Sequence, residues 1–264
     1  MTIRVILLDL EGVLYQQGEP IEGARETVRR LRAMGYPLRF LTNTTTRPRA
    51  EIAGRLRAMG FEAPLEDVFS PTFAAALELE TGGERRVHLA AEPALAADFG
   101  AFELVETAPD AVVMGDLGAD FTWERLNGLF RMVSGGARLI ALHKNRYWRK
   151  EQNLVLDLGP FVAALEYGAD IEALVVGKPA RAFYQLSLRS LGAALEETLM
   201  IGDDIEGDVG GAQNAGLVAV QVRTGKYRDE DEHHPRIRPD YRVDSILDLV
   251  PLLERIGLQR IAMH

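Results

Sequence analysis

Short apolar runs alternate along the chain with stretches whose apolar residues recur every three or four positions, the pattern of buried strands joined by amphipathic helices. Arg4-Val5-Ile6-Leu7-Leu8-Asp9 is a continuous apolar run between charged residues, as a strand buried on both faces of a parallel sheet requires. After a glycine-containing turn, Ala24, Val28 and Leu31 fall at helical spacing before Gly35, and Leu38 to Leu41 forms the next strand. Ile52, Leu56 and Met59 make a second helical stripe ended by Gly60, Val68-Phe69 a short strand, and Thr72 to Leu79 an alanine-rich helix broken at Gly82-Gly83.

Four further strands are predicted at Val87–Ala90, Val112–Met114, Leu139–Leu142 and Leu174–Val176, with Leu126, Leu129, Phe130 and Val133 marking a helix between them. This middle third has the pattern of a small α/β unit of its own. The alternation resumes with a helix from Arg181 to Leu191, a strand Leu199–Ile201, a helix ending near Gly216 and a strand Val218–Val222. A polar stretch from Arg228 to Pro239 precedes a last helix near Ile246 to Ile256, in which Pro251 is expected to cause a kink. The fold class that follows is α/β, a doubly wound parallel sheet of the Rossmann type, with ligands expected outside the carboxyl ends of the strands.

With 264 residues, 47% hydrophobic and 26% charged, the chain is long enough for one large domain or for a core carrying a smaller one. Thirty Lys and Arg against 39 Asp and Glu leave a net charge of -9, which argues against nucleic acid as the main partner. There is no cysteine, so thiolate zinc clusters, disulfides and thiol nucleophiles are excluded. The N-terminal apolar run breaks at Asp9 and Glu11, and no run reaches the length of a membrane helix. A soluble, cytoplasmic chain with no membrane partner is expected.

The predicted strand ends carry complementary chemistry. Asp9 and Glu11 follow the first strand, Thr42-Asn43 the second, Lys178 the middle unit, and Asp203, Asp204 and Asp208 the strand Leu199–Ile201. Carboxylates, one lysine and one hydroxyl at a single sheet edge are what a hard cation and a phosphate group need. Taken singly, each of these residues is equally explained as the cap of the following helix. Taken together and in this order, they favour a phosphate site.

These residues resemble the motifs of the haloacid dehalogenase-like hydrolases. Asp9-Leu10-Glu11-Gly12-Val13-Leu14 is similar to their first motif, Asp-x-Asp-Gly-Thr/Val-Leu, and Thr42-Asn43 to their second. Lys178 in Val176-Gly177-Lys178-Pro179 resembles the third, and Gly202-Asp203-Asp204-Ile205-Glu206-Gly207-Asp208 the fourth. Leu41-Thr42-Asn43-Thr44 and the long insertion before Lys178 resemble the NagD-like, C2-capped branch (class IIA). His143-Lys144-Asn145-Arg146-Tyr147, Gly159-Pro160-Phe161-Val162 and Thr224-Gly225-Lys226-Tyr227 resemble the phospholysine phosphohistidine inorganic pyrophosphate phosphatases and their domain-containing relatives.

The resemblance implies a catalytic core over residues 1–80 and 177–264 and an inserted, smaller α/β cap over 81–176. It implies a Mg²⁺-dependent phosphohydrolase in which Asp9 is the nucleophile and an aspartyl-phosphate the intermediate. Metal ligands would be Asp9, the backbone carbonyl of Glu11 and Asp203, with Asp204 and Asp208 behind them. Thr42 and the Asn43 amide would bind the transferring phosphoryl group, and Lys178 would neutralise it. A nearby lysine and metal are expected to lower the Asp9 pKa and keep it ionised.

Glu11 departs from the family pattern, in which an aspartate protonates the leaving group. It keeps the carboxylate but adds one methylene. As a competent acid and base it opens ordinary phosphate monoesters; otherwise phosphoramidates, acyl phosphates and pyrophosphate, with better leaving groups, dominate. The alternatives are a glutamate solvated in a turn and, for the whole chain, a catalytically weak phosphate-binding regulatory module.

In the cap, Lys144, Arg146, Arg149 and Lys150 are interleaved with Tyr147 and Trp148. The resemblance places this loop over the active site, with Lys144, Asn145 and Arg146 as substrate contacts for an anionic leaving group; an exposed solubilising loop is the competing reading. The partner implied is a small phosphorylated substrate, and a homodimer stays open.

Overall fold

The structure is a computed structural model that describes residues 2–150 and 153–261. The chain divides into two compact units, one of Met1–Thr42, Ile52–Phe69 and Lys178–His264, the other of Asn43–Glu51 and Ser70–Gly177.

The first unit is built on a six-stranded parallel sheet in the order Tyr241–Val243, Val218–Val222, Thr198–Gly202, Val5–Asp9, Leu38–Leu41, Val68–Phe69. The four strands in the middle are buried at every residue, which is why each is predominantly apolar rather than alternating, although Arg39 and Gln221 are buried within two of them. The helix Ala24–Ala33 turns Ala24, Val28 and Leu31 inward, with Glu26 in its first turn and Arg30 and Arg32 in its last, the charge order that suits the helix dipole. From Val5–Asp9 the chain builds outward in both directions, so the strand order reverses between that strand and Thr198–Gly202. A crevice opens at the carboxyl ends of strands at such a switch point.

Pro251 does not kink a helix interior as expected. Ile246–Asp248 is a separate 3₁₀ turn capped by Ser245, and the last α-helix is Leu249–Ile261. Pro251 therefore lies in the first turn, where its missing N–H has no carbonyl to meet. The edge strand Tyr241–Val243, inside a polar region, was not predicted.

The second unit holds a five-stranded parallel sheet in the order Leu174–Val175, Arg138–Ala141, Ala111–Met114, Arg86–Ala90, Glu103–Leu104. The helices Trp123–Ser134 and Leu158–Ala169, capped by Thr122 and Asp157, cover it, and Phe121 stacks on Phe161 with ring centroids 4.0 Å apart. The helix Pro71–Gly82 groups with this unit, although its first ten residues lie before the expected boundary at residue 80. The reason is local: Thr72 bonds Asp98 in the turn Pro93–Phe99, and Glu78 pairs with Arg138 on the sheet at 2.5 Å. The sequence reading also missed a two-stranded hairpin, Tyr147–Lys150 with Asn153–Leu156, because its strands do not alternate in polarity. Among the described residues, no helix is long and apolar enough to cross a membrane.

Candidate active site

Strand register brings the motif residues of the first unit to one edge. Leu8 pairs with Ile201, so Asp9 leaves its strand beside Gly202 and Asp203 follows one residue further out at the switch point, with their carboxylate oxygens within 4.8 Å. Asp9 pairs with Leu41 on its other side, so Thr42 is the next residue out on that strand, buried and with its amide bonded to the Phe69 carbonyl at 3.2 Å. Lys178 opens the last segment of the unit through a cis Lys178–Pro179 bond.

Lys178 is the centre of a buried ion network. Its Nζ donates to Asp9 Oδ1 and, at 2.6 Å, to Asp208 Oδ1. Asp208 Oδ2 accepts the amides of Asp203 and Asp204, each at 3.1 Å, so both oxygens of Asp208 are engaged by the protein itself. The tight turn this requires is a π-helical segment, Ile205–Gly210, started by Asp204, whose Oδ1 accepts the amides of Glu206 and Gly207. Tyr184 locks it from outside by donating to the Gly207 carbonyl at 2.8 Å.

The electrostatics follow from burial. Desolvation, then the Asp208 charge, pushes the Asp9 carboxyl up to about 6 against the pull of Lys178. Among the protein's own groups, then, Lys178 does not lower the Asp9 pKa below the usual carboxylate range as expected. Asp203 is pushed up to about 8 by burial, then by Asp9 and Asp208. Burial alone would lower Lys178, but Asp208 and then Asp9 hold it well above the ordinary lysine range. Burial raises Asp204 as well, yet Lys226 and the Gly207 amide keep it below its usual value.

One atom of the cluster is unmet. Asp203 Oδ1 is buried without a hydrogen-bond partner, while Oδ2 accepts the Lys226 amide at 2.7 Å. Oxygens of Asp9, Asp203 and Asp208 all lie within 4.8 Å of one another. Three buried carboxylates this close together, with an orphaned oxygen on Asp203, fit a hard divalent cation. Asp203 and Asp9 suit direct ligation; Asp208, saturated by Lys178 and two amides, suits a supporting place.

Glycines make room for this. Gly12, at φ +85°, and Gly225, at φ +68°, approach Asp203 so closely that a Cβ on either would collide with its carboxylate. Thr224 donates to the Gly12 carbonyl, and Lys226 Nζ reaches Asp204 Oδ2 at 3.1 Å. The loop Thr224–Lys226 is therefore part of the site. The sequence marks this loop through the Thr224-Gly225-Lys226-Tyr227 resemblance, but not its contacts, which run to residues distant in sequence, Asp203 and Gly12.

Glu11 stands apart from the network. It is exposed, and its Oε1 accepts the Gln17 amide at 3.0 Å, fastening a turn in which Gln17 adopts φ +52°. Asn43, Lys144, Asn145 and Arg146 belong to the second unit. There Lys144 Nζ is held by both carboxylate oxygens of Glu166, at 2.8 and 2.6 Å. The Asn145 carbonyl accepts the Gly159 amide at 2.8 Å, and Arg146 is exposed with its carbonyl bonded to the Asp157 amide. The Arg149 and Lys150 side chains lie outside the described residues.

Residues 6–104 match the family described as haloacid dehalogenase-like hydrolase, and residues 175–249 match one described as HAD-hydrolase-like. The chain is 41% identical to the phospholysine phosphohistidine inorganic pyrophosphate phosphatase of Bos taurus over 258 residues, covering 95% of this chain and 94% of that one. Its fold is similar to NagD from E. coli, with a TM-score of 0.82, 25% identity and coverage of 93% and 98%. It is similar as well to a p-nitrophenyl phosphatase from Archaeoglobus fulgidus, with a TM-score of 0.86, 25% identity and coverage of 96% and 100%.

Proposed function

The chain belongs to the haloacid dehalogenase-like hydrolases, and on that footing we propose that it is a Mg²⁺-dependent phosphohydrolase in which Asp9 forms an aspartyl-phosphate. The observation that supports this most is the Lys178 bridge between Asp9 and Asp208 beside the orphaned oxygen of Asp203. A buried nucleophile with one oxygen fixed by a lysine is oriented, and the other oxygen is the one assigned to attack phosphorus. With its carboxyl at about 6, Asp9 is mostly ionised at pH 7 despite its burial.

Thr42 and the Asn43 amide would hold the phosphoryl oxygens, and Lys178 would offset the negative charge that gathers as the Asp9–phosphorus bond forms and the bond to the leaving group breaks. Water then attacks phosphorus, releasing phosphate and restoring the Asp9 carboxylate. Mg²⁺ held by Asp9, Asp203 and the Glu11 carbonyl would, when bound, supply further neutralisation of the phosphoryl oxygens. Glu11 would protonate the leaving group, with its Oε1 held by the Gln17 amide and its proton carried on Oε2.

The substrate class we propose is a small phosphorylated metabolite, a phosphoramidate or pyrophosphate, in line with the name of the bovine relative. The reading as a regulatory module without turnover is not favoured, since the similar proteins are named as phosphatases. The test is hydrolysis of an aryl phosphate and of pyrophosphate with and without Mg²⁺. Activity is expected to need the metal and to vanish in Asp9→Asn; activity retained in Asp9→Asn contradicts the assignment.

A further inference from the structure

Within the phosphohydrolase reading above, the loop Arg223–Tyr227 holds the metal-ligand side of the site. The Lys226 amide fixes Asp203 Oδ2, Thr224 fixes the Gly12 carbonyl, and Lys226 Nζ reaches Asp204. Nothing in the composition of this segment makes it rigid, since its centre is Thr224-Gly225-Lys226 with Gly225 in the left-handed region. Its two ends meet at a single carboxylate outside the site. Glu232 Oε1 accepts the Arg223 guanidinium at 3.0 Å and the Tyr227 hydroxyl at 2.9 Å. Glu232 Oε2 accepts Arg242 at 2.7 Å, which fastens the junction to the edge strand Tyr241–Val243. A carboxylate that closes both ends of a five-residue loop removes much of that loop's conformational freedom.

We propose that Glu232 is a positioning residue of the active site: by tying Arg223 to Tyr227 it holds the Lys226 amide on Asp203 and Thr224 on the Gly12 carbonyl. It touches no reacting group. Its action runs through the loop, in the way that groups behind a ligand set its orientation and affinity. Its side chain is 35% exposed, so its removal opens no cavity in the core.

Mg²⁺ binding to the full chain, measured by calorimetry, tests this together with hydrogen exchange of the Lys226 amide. Glu232→Ala is expected to weaken Mg²⁺ binding about tenfold and to speed that exchange. Tyr227→Phe, which removes one tie, should have a smaller effect of the same kind, and adding it to Glu232→Ala should cost nothing more, because both act through one contact. Glu254→Ala removes the same charge from the same unit, where Glu254 pairs only weakly with Arg30 at 3.9 Å, and is expected to change neither readout. Wild-type Mg²⁺ affinity in Glu232→Ala, additive losses in the double variant, or an equal loss in Glu254→Ala would each overturn the positioning role. A wild-type chain that binds no Mg²⁺ would be a different result, overturning the proposed function along with it.

Discussion

Lys178 Nζ donates to Asp208 Oδ1 across 2.6 Å, with the lysine 6% and the aspartate 1% exposed. Since Asp208 also holds the Asp203 and Asp204 amides, it sets the position of the lysine and of the proposed metal ligand Asp203 at once. Asp208→Asn is expected to lower kcat by about 10- to 100-fold with a smaller change in KM. Steady-state kinetics on an aryl phosphate decide it; a loss confined to KM would place Asp208 in ground-state binding instead.

Stability should depend on pH in a direction set by the buried acids. Asp203 rises from 3.8 to about 8 and Asp9 from 3.8 to about 6, so the folded chain holds protons that the unfolded chain releases. Their contribution is complete below about pH 4 and is lost as pH climbs, through about 6 for Asp9 and about 8 for Asp203. In EDTA the Tm is therefore expected to fall between pH 5 and pH 8. Added Mg²⁺ must displace the Asp203 proton, so it should raise Tm more at pH 8 than at pH 5. A larger metal effect at the lower pH would contradict the charge state assigned to Asp203.

The glycine cradle gives a paired comparison. Gly12 and Gly18 both have positive φ, +85° and +84°, but a Cβ at Gly12 meets Asp203, whereas Gly18 has nothing within 4 Å. Gly18→Ala should cost only the backbone strain, about 1–2 kcal/mol. Gly12→Ala should cost that and also abolish the Mg²⁺-dependent rise in Tm. Equal behaviour of the two variants in thermal melts with and without Mg²⁺ would remove the cradle from the account.

Glu11 is separable from the network by leaving group. Glu11→Gln is expected to slow alkyl phosphate hydrolysis by about 10²- to 10⁴-fold, and pyrophosphate or nitrophenyl phosphate hydrolysis much less. The same factor on every substrate would assign Glu11 to fastening the turn at Gln17.

The strand ends that carry Asp9, Thr42 and Asp203 were legible because buried parallel strands are short, predominantly apolar runs that end where polar residues follow, despite Arg39 within the second of them. Lys178 and Asp208 were legible by motif, but not their hydrogen bond. The loop at Thr224–Lys226 was legible as a motif, but not its contacts, because they reach Asp203 and Gly12, both distant in sequence. Lys144, expected among the substrate contacts, is paired with Glu166, 22 residues away, in a pairing no local pattern announces. The boundary at residue 80 moved for the same reason, since Thr72–Asp98 and Glu78–Arg138 are contacts distant in sequence.

The central claim is that phosphorus is transferred to Asp9. Enzyme mixed with a radiolabelled phosphoryl donor and Mg²⁺, quenched in acid within a turnover and mapped by peptide, should carry a hydroxylamine-labile phosphoryl group on Asp9 and none in Asp9→Asn. A label on another residue, or turnover without label in both proteins, would contradict it.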